Sequence, residues 1–254
     1  MLQPDRLAID NQIAHQLLPL IDLTRLNEED TPANLKTFFK QAEGRNWHVA
    51  SVCIMPQFVK LAKFHFHHSL VKVCTVANFP TGDEPLKDIL INIHNAIEEG
   101  ANEIDVVLPY KRYLAGDKQY ARTLIKSCKE LCGAKVTLKV ILETGLLGDT
   151  THIADASKEA ILAGADFIKT STGKIPQGVT LDAATTMLYA IKQLASTCVH
   201  PVGLKISGGV REVSQAMQYV SLAKQIMGEH WVTPKTFRIG ASQLVNHLLE
   251  HIHA

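Results

Sequence analysis

The chain has 254 residues, of which 46% are hydrophobic and 20% are charged, which is enough to bury one large core. Its formal net charge of +1 gives no electrostatic reason to bind nucleic acid or an anionic membrane. No stretch approaches 18 consecutive apolar residues, and the first residues lack the basic-then-apolar layout of a secretory signal. We therefore expect a cytoplasmic protein without nucleic-acid or membrane partners.

Short apolar or β-branched runs alternate along the chain with longer stretches of helical periodicity. The short runs predict eight strands, at 18–22, 49–54, 72–77, 103–108, 137–142, 167–170, 202–206 and 237–240. Helical patterns with start and stop signals lie at 31–44, 83–100, 110–131, 151–162, 181–195, 212–227 and 243–252. Such an alternation predicts parallel strands, and eight repeats in a chain of this length favour closure into a barrel.

The expected fold is therefore α/β, a single (β/α)8 TIM barrel that occupies residues 1–254 as one domain. Leu7, Ile13 and Leu17 have helical spacing and precede the first strand. They predict an extra N-terminal helix, which we expect to cover the N-terminal mouth of the barrel. No linker, charge block or low-complexity tract in the sequence indicates a second domain.

In a TIM barrel the site is built at the C-terminal ends of the strands, so polar residues near those ends are informative. They recur at intervals of about one strand–helix unit. In chain order they are Asp22, Cys53, Asn78, Asp105, Lys139, Lys169, Lys205 and Ser242. The sequence predicts that these side chains converge on one mouth of the barrel, and Cys53 is expected to face the site.

Lys169 and Lys205 interrupt two apolar strands that are about one strand–helix unit apart. If the strands are neighbours, the two ammonium groups enter the same site. Two such charges about 6 Å apart, at an effective dielectric constant of about 20, repel each other by roughly 3 kcal/mol, or about two pKa units. With added desolvation, a lysine pKa near about 10.4 could fall towards about 7 to 8, and the amine could attack a carbonyl.

Buried ion pairing is the alternative for each of these charges. Asp105 is flanked by aliphatic residues and needs a cationic partner, because burying it alone would cost several kcal/mol. Lys139 could pair with Asp105 or Glu143, and Asp22 could be a helix cap or a turn residue. The strand ends carry at least as many cations as anions, so one lysine is left without a carboxylate.

The loops after the sixth, seventh and eighth strands are rich in glycine and hydroxyl residues, at 170–174, 207–209 and 240–242. In this fold, loops after the last two strands often bind phosphate together with a helix N-terminus. The pattern predicts a phosphate site, with Lys174 and Arg211 as candidate cations.

The histidines and cysteines give no comparable signal for a metal. Histidines cluster at 65, 67 and 68 and at 247, 251 and 253, on predicted helices away from the strand ends. The five cysteines, at 53, 74, 128, 132 and 198, have no zinc-like spacing. We expect reduced cysteines and no metal.

The sequence resembles the deoxyribose-phosphate aldolase family of the DeoC type over nearly its whole length. The run Phe167-Ile168-Lys169-Thr170-Ser171-Thr172-Gly173 is highly specific, and several segments resemble the longer enterobacterial branch. The other matching stretches are Ile21-Asp22-Leu23-Thr24-Arg25-Leu26, Val52-Cys53-Ile54, Val76-Ala77-Asn78-Phe79-Pro80, Glu103-Ile104-Asp105-Val106-Val107, Leu138-Lys139-Val140-Ile141-Leu142-Glu143-Thr144 and Lys205-Ile206-Ser207-Gly208-Gly209-Val210-Arg211.

This resemblance implies a class I aldolase of deoxynucleoside catabolism that needs no cofactor. Such an enzyme reversibly cleaves 2-deoxy-D-ribose 5-phosphate to D-glyceraldehyde 3-phosphate and acetaldehyde. By the resemblance, Lys169 forms the Schiff base, Lys205 depresses its pKa and takes part in proton transfer, and Asp105 relays protons. The implied substrate-binding residues are Asp22, Thr170 and Lys174, to which we add the strand-end residues Cys53 and Lys139. The implied phosphate-binding residues are Gly173, Gly208, Gly209 and Ser242.

Three features depart from the family pattern. Ile206-Ser207 replaces the common Pro-Ala, Gln243 stands where many relatives have a second serine, and the sequence ends without the tyrosine-ended tail of some relatives. Two other functions stay open at this point, namely another Schiff-base phosphosugar aldolase or transaldolase, and a non-catalytic phosphosugar-binding barrel. A monomer and a homodimer both stay open as well.

Overall fold

The computed structural model describes the backbone of residues 4–252 and the side chains of residues 11–250. Within that range, eight parallel strands pair in sequence order and close into a barrel. The strands are β1 (Ile21–Arg25), β2 (Ser51–Ile54), β3 (Lys72–Ala77), β4 (Glu103–Val107), β5 (Thr137–Ile141), β6 (Phe167–Lys169), β7 (Gly203–Ser207) and β8 (Phe237–Ala241). The predicted (β/α)8 barrel is confirmed.

Each strand is followed by at least one helix, as the alternation of patterns predicts. The helices are α1 (Pro4–Leu17), α2 (Pro32–Phe39), α3 (Val59–His65), α4 (Leu86–Glu98), α5 (Tyr110–Leu114), α6 (Lys118–Cys132), α7 (Thr144–Leu147), α8 (Thr150–Leu162), α9 (Leu181–Leu194), α10 (Val213–Met227) and α11 (Leu244–Ile252). Short 3-10 turns at Leu18–Leu20 and Pro56–Phe58 lead into β1 and α3. Among the described helices, none has the length and apolar character needed to cross a bilayer.

Local sequence sets the start of α2 as predicted. Thr31 is extended, its hydroxyl accepts from the amide of Asn34, and the Asn34 side chain accepts in return from the Thr31 amide. Pro32 occupies the first turn, where no amide donor is needed. The helix ends at Phe39, earlier than the sequence pattern predicts.

Two other boundaries differ from the sequence prediction, each for a local reason. The first strand begins at Ile21 because Leu18–Leu20 forms a 3-10 turn around Pro19, which has no amide hydrogen for a strand ladder. The helix predicted over 110–131 divides into α5 and α6, because Gly116 adopts a φ of 97° and Asp117 then caps a new helix.

α1 confirms that a helix precedes the barrel. Its main contacts are with α11 and with the 3-10 turn that follows it, and Ala14 and Leu17 are fully buried. Leu7, one of the residues on which the helix prediction rests, lies outside the described side chains, as do His251 and His253. That α1 covers the N-terminal mouth stays a prediction.

Two kinds of interior follow from the alternation of side chains along each strand. Outward-facing residues such as Ile104 and Val106 join a continuous apolar core that lies between the barrel and its helices. Inward-facing residues of the same strand, Glu103 and Asp105, are charged and buried. The apolar layer holds the barrel together, and the charged side chains occupy its centre. The single domain expected over residues 1–254 stays a prediction that this continuous core supports.

Candidate active site

Seven buried charged side chains fill the centre of the barrel. Strand β4 supplies two of them, and β1, β5, β6, β7 and β8 supply one each. The register places Lys169 beside Lys205, and Asp105 beside Lys139. The seven are Asp22, Glu103, Asp105, Lys139, Lys169, Lys205 and Arg238, which we call the central cluster. The structure thus brings together five of the strand-end residues named from the sequence.

Asp105 is the hub of the central cluster. Its Oδ2 accepts hydrogen bonds from Lys169 Nζ at 2.9 Å and from Lys205 Nζ at 2.7 Å, while its Oδ1 accepts from Lys139 Nζ at 2.7 Å. Burial alone would raise the pKa of Asp105, but the three lysines hold that pKa well below its usual range. The Asp105 carboxylate is therefore ionised and links all three lysines.

The two lysines on Asp105 Oδ2 differ in their other partners. Lys205 Nζ also lies 2.6 Å from Oδ2 of Asp22, whereas the carboxylate paired with Lys169 among the described residues is Asp105. Burial would lower the pKa of Lys205, but Asp105 and Asp22 raise it above its usual value. Lys205 therefore places a positive charge next to Lys169.

Arg238 and Glu103 complete the central cluster, and the sequence reading missed both. Arg238 Nη1 donates to Asp22 Oδ1 at 2.5 Å, and its Nη2 donates to Glu103 Oε1 at 3.0 Å. Lys139 Nζ lies 2.7 Å from Glu103 Oε2. The sequence did contain a signal for Glu103. It precedes Asp105 by two residues on one strand, so both side chains point into the barrel.

Lys139 pairs with Asp105 and Glu103, so of the two partners considered from the sequence the structure selects Asp105 over Glu143. Glu143 instead accepts from the Thr172 hydroxyl at 2.5 Å, and burial raises the pKa of its carboxyl group. Its backbone adopts a left-handed φ of 55° directly after β5.

The charges of the central cluster do not balance. It holds four cations and three carboxylates, all within the part of the chain that the structure describes. Burial would lower the pKa of Lys139 and of Arg238, but the carboxylates around them raise both. With Lys205 also held as a cation, the central cluster carries one positive charge that no carboxylate of the cluster balances.

A cavity of about 380 Å³ opens at the C-terminal mouth of the barrel with Lys169 in its wall. Three of the wall's glycines, Gly173, Gly208 and Gly209, have φ values of 77°, 88° and 90°, which favour glycine. The other lining residues are Thr24, Arg25, Leu26, Asn27, Thr172, Lys174, Ser207, Val210, Arg211, Gly240, Ala241 and Ser242. All four predicted phosphate-binding residues and both candidate cations therefore share one wall with Lys169.

The other predicted substrate-binding residues lie beneath that wall. Asp22, Cys53, Lys139 and Thr170 are fully buried and do not line the cavity. Thr170 joins β6 to β7, because its hydroxyl donates to the carbonyl of Ser207 at 3.1 Å and accepts from the Ser207 amide at 2.9 Å. These residues support the site from below rather than facing the open cavity.

Ser207, which differs from the family pattern, forms reciprocal hydrogen bonds with Ser171. The Ser207 hydroxyl donates to the carbonyl of Ser171, and the Ser171 hydroxyl donates to the carbonyl of Ser207, both at 2.5 Å. Nearby, a Cβ on Gly178 would lie 2.0 Å from the carbonyl oxygen of Gly208, so only glycine fits there. The loops after β6 and β7 are thus fixed against each other.

One strand-end residue, Asn78, and the clustered histidines near α3 lie outside the central cluster. Asn78 also has a φ of 55°, and its amide group donates to the carbonyl of Val107 and accepts from the amide of Glu84, so it anchors the loop after β3. The three histidines at 65, 67 and 68 are exposed around the end of α3, away from the central cluster.

The barrel closes around a lysine-rich cluster beneath its open mouth. Residues 16–247 match the DeoC/LacD family of aldolases. Because the match covers most of the chain, the protein belongs to this family. The more specific membership in an enterobacterial branch stays a prediction.

Several solved structures share the fold. A protein of Toxoplasma gondii ME49, provisionally named a deoxyribose-phosphate aldolase, is 23% identical, with a TM-score of 0.89 over 98% of this chain and 97% of its own. An aldolase named QR15 is 26% identical, with a TM-score of 0.79 over 93% and 96%. The deoxyribose phosphate aldolase of Aeropyrum pernix, described as a tetramer, is 24% identical, with a TM-score of 0.72 over 98% and 94%.

Proposed function

We propose that the protein reversibly cleaves 2-deoxy-D-ribose 5-phosphate to D-glyceraldehyde 3-phosphate and acetaldehyde through a Schiff base on Lys169. One observation carries this proposal. Lys169 and Lys205 donate to the same oxygen of Asp105, and Lys169 lies in the wall of a cavity lined by glycine-rich loops. Membership in an aldolase family supports the same reaction class.

Lys169 is the nucleophile in this proposal. An amine attacks a carbonyl only when it is unprotonated, and the uncompensated positive charge of the central cluster favours release of one proton. Lys205 stays charged because it bridges Asp105 and Asp22 at 2.7 Å and 2.6 Å. Lys169 has one carboxylate contact and lies in the cavity wall, so it is the lysine of the cluster that a carbonyl substrate can reach.

The reaction then follows the chemistry of an iminium ion. Lys169 Nζ adds to the C1 aldehyde of the open-chain sugar, and loss of water gives the iminium. Removal of the proton from the C3 hydroxyl lets the C2–C3 bond break, and its electron pair passes into the iminium to form an enamine. Glyceraldehyde 3-phosphate leaves, C2 is protonated, and hydrolysis releases acetaldehyde and the free amine.

Asp105 and Lys205 are suited to move the protons that these steps require. The 2.7 Å contact between Lys205 Nζ and Asp105 Oδ2 lies next to Lys169, so a proton can pass between the two groups. Because the pKa of Asp105 is held low, Asp105 transmits a proton and does not store it. Asp22 and Lys139 act in this proposal by holding Lys205 and Asp105 in position.

The rim of the cavity carries the groups that bind the phosphate of the substrate in this proposal. Gly173, Gly208 and Gly209 expose backbone amides, and Ser242 lies two residues before the start of α11. Lys174 and Arg211 add positive charge at the same wall. The substrate is thereby oriented with its phosphate at the rim and its aldehyde carbon towards Lys169.

Trapping of the Schiff base tests this proposal. The protein is incubated with acetaldehyde and borohydride, digested, and analysed by peptide mass spectrometry. We expect a reduced two-carbon adduct on Lys169, and loss of cleavage activity in proportion to the adduct. Lys111→Met, which changes an exposed lysine paired with Asp83, is the matched control and should label like the wild type.

The outcomes separate the alternatives. An adduct on Lys169 with other carbonyl donors but not with acetaldehyde would indicate a different Schiff-base aldolase or a transaldolase. Phosphosugar binding without any adduct would indicate a non-catalytic barrel. Loss of activity on addition of a chelator, without an adduct on Lys169, would refute the mechanism.

A further inference from the structure

Two cysteines face each other inside the barrel, next to the central cluster. Cys53 on β2 is the register partner of Cys74 on β3, and both side chains are fully buried. Their sulfur atoms lie within 4.8 Å of each other. Neighbouring strands are about 4.8 Å apart, within the Cα separation of about 4.4 to 6.8 Å that a disulfide requires. The backbone therefore already has the spacing for a disulfide.

The two thiols have different environments. The neighbouring Cys74 side chain lowers the pKa of Cys53 against the effect of burial, and the ammonium of Lys205 lowers it further. Burial raises the pKa of Cys74. A thiol with a lowered pKa beside a thiol with a raised pKa is the arrangement of an attacking cysteine and its resolving partner.

The other cysteines provide an internal contrast. Cys128 and Cys132 lie one turn apart on α6 within the apolar core, and burial raises the pKa of each to about 12. Cys198 is partly exposed, near the end of the helix that precedes β7. Cys53 and Cys74 differ from that pair because their sulfurs lie within 4.8 Å of each other beside a buried lysine, Lys139, whose ammonium is 3.2 Å from Cys74 Sγ.

Metal binding is a weaker interpretation of the same atoms. The two sulfurs and one Asp105 oxygen lie close enough to hold a metal ion. However, both Asp105 oxygens already accept from lysine ammonium groups at 2.7 to 2.9 Å. Three cations around the carboxylate repel a divalent ion, whereas they stabilise a thiolate.

We propose that Cys53 and Cys74 are an oxidative modification site, at which a peroxide forms a disulfide that stops the aldolase. The Cys53 thiolate attacks the peroxide, so an S–O bond forms, the O–O bond breaks, and hydroxide leaves and takes up the proton that Cys53 released. The sulfur of Cys74 then attacks the sulfenic acid, and its proton leaves with the hydroxyl group as water. Two thiols and one hydrogen peroxide give one disulfide and two waters.

The disulfide would act on the site through Asp105. Cys74 Sγ donates to Asp105 Oδ1 at 3.2 Å and accepts from Lys139 Nζ at 3.2 Å. Oxidation removes the S–H donor and moves this sulfur towards Cys53. Asp105 then loses one of the contacts that place its other oxygen between Lys169 and Lys205. This effect on catalysis rests on the proposed function, whereas disulfide formation does not.

The test is a titration of the native protein with hydrogen peroxide. Free thiols are blocked at each point, and the digest is analysed for linked peptides while activity is measured in parallel. We expect a Cys53–Cys74 linked peptide, a loss of activity of about tenfold or more, and recovery of both with dithiothreitol. Cys198 should be oxidised in the same range, which shows that the oxidant acted, while Cys128 and Cys132 stay reduced.

Variants separate the pair from other effects. Cys53→Ser and Cys74→Ser should each keep most of their own untreated activity after peroxide, and Cys128→Ser should lose activity as the wild type does. Oxidation of Cys198 with Cys53 and Cys74 both free would overturn the proposal, as would equal inactivation of Cys74→Ser. If the protein lacks the proposed activity altogether, the linked peptide still decides whether the disulfide forms.

Discussion

The centre of the barrel and the rim of its cavity are both rich in polar groups, but they satisfy them differently. In the central cluster every charged group has a protein partner, from Asp105 with three lysines to Arg238 with two carboxylates. At the rim, neither Lys174 nor Arg211 has a carboxylate within salt-bridge distance among the described residues. The charges of the centre pair with one another, whereas Lys174 and Arg211 at the rim have no carboxylate partner among the described residues.

This difference separates two consequences of mutation. A change in the central cluster leaves a buried charge without its partner, so it affects stability, proton positions and chemistry together. A change at the rim leaves exposed groups that water can solvate, so it affects mainly the binding of a ligand. Single substitutions at the centre and at the rim test this separation.

Lys169→Met should have the largest effect on activity. Without the amine no Schiff base forms, and we expect cleavage to fall by about 10⁴-fold or more, or roughly 5 kcal/mol. The central cluster then holds three cations and three carboxylates, so the fold should persist. Steady-state rates and thermal unfolding check both statements, and residual activity above about 1% would place the nucleophile elsewhere.

Arg238→Met should have the largest effect on stability. The substitution removes the partner of Asp22 Oδ1 and Glu103 Oε1 in the buried centre of the barrel, and breaking such a buried pair costs about 3 to 5 kcal/mol. Urea unfolding measures the change. Lys111→Met, which breaks an exposed ion pair, serves as the control and should change the free energy of unfolding by at most about 1 kcal/mol. If both variants lower the free energy of unfolding equally, the buried ion pairs of Arg238 stabilise the fold no more than the exposed pair of Lys111 does.

Lys205→Leu should move the pH dependence of imine formation. The pKa of Lys205 is raised, so this side chain is a cation at every pH at which the enzyme would be assayed. Without Lys205 the central cluster has equal numbers of positive and negative charges, so no excess positive charge favours a free amine on Lys169. Imine formation should then require a pH about one to two units higher. The rate of borohydride trapping against pH measures this shift.

The rim lysine provides the comparison for that experiment. Lys174 donates to the carbonyl of Leu26 at 2.7 Å and has no contact with Asp105. Lys174→Leu should therefore leave the pH profile of trapping in place. If Lys205→Leu also leaves the pH profile unchanged, Lys205 does not activate Lys169.

Strand periodicity was enough to predict the convergence of Lys169, Lys205 and Asp105, because each interrupts an apolar run near the end of a strand. The excess of positive charge was predicted in the same way, and Arg238 with Glu103 adds one charge of each sign, so the excess persists. What the sequence could not supply was which strands face each other across the closed barrel. Arg238 and Glu103 come from β8 and β4, and their meeting depends on the closure of strands far apart in the chain.

The cysteine pair was missed for a similar reason. Cys53 was noted as a strand-end residue, but its proximity to Cys74 follows from the register between β2 and β3, which no local pattern specifies. Local backbone chemistry accounts for the boundary errors. Pro19 displaced the first strand and Gly116 divided a helix, and both residues are visible in the sequence.

Arg211→Met should give the smallest of these effects, and one confined to the rim. Arg211 is exposed and lines the cavity beside Gly209, so its loss should raise KM for the phosphorylated sugar about tenfold, or roughly 1.4 kcal/mol. Cleavage of unphosphorylated 2-deoxyribose and the free energy of unfolding should both stay within experimental error of the wild type. Comparison of kcat/KM for the two sugars measures the effect. If both sugars lose activity equally, Arg211 does not act on the phosphate, and the separation between rim and centre fails at this residue.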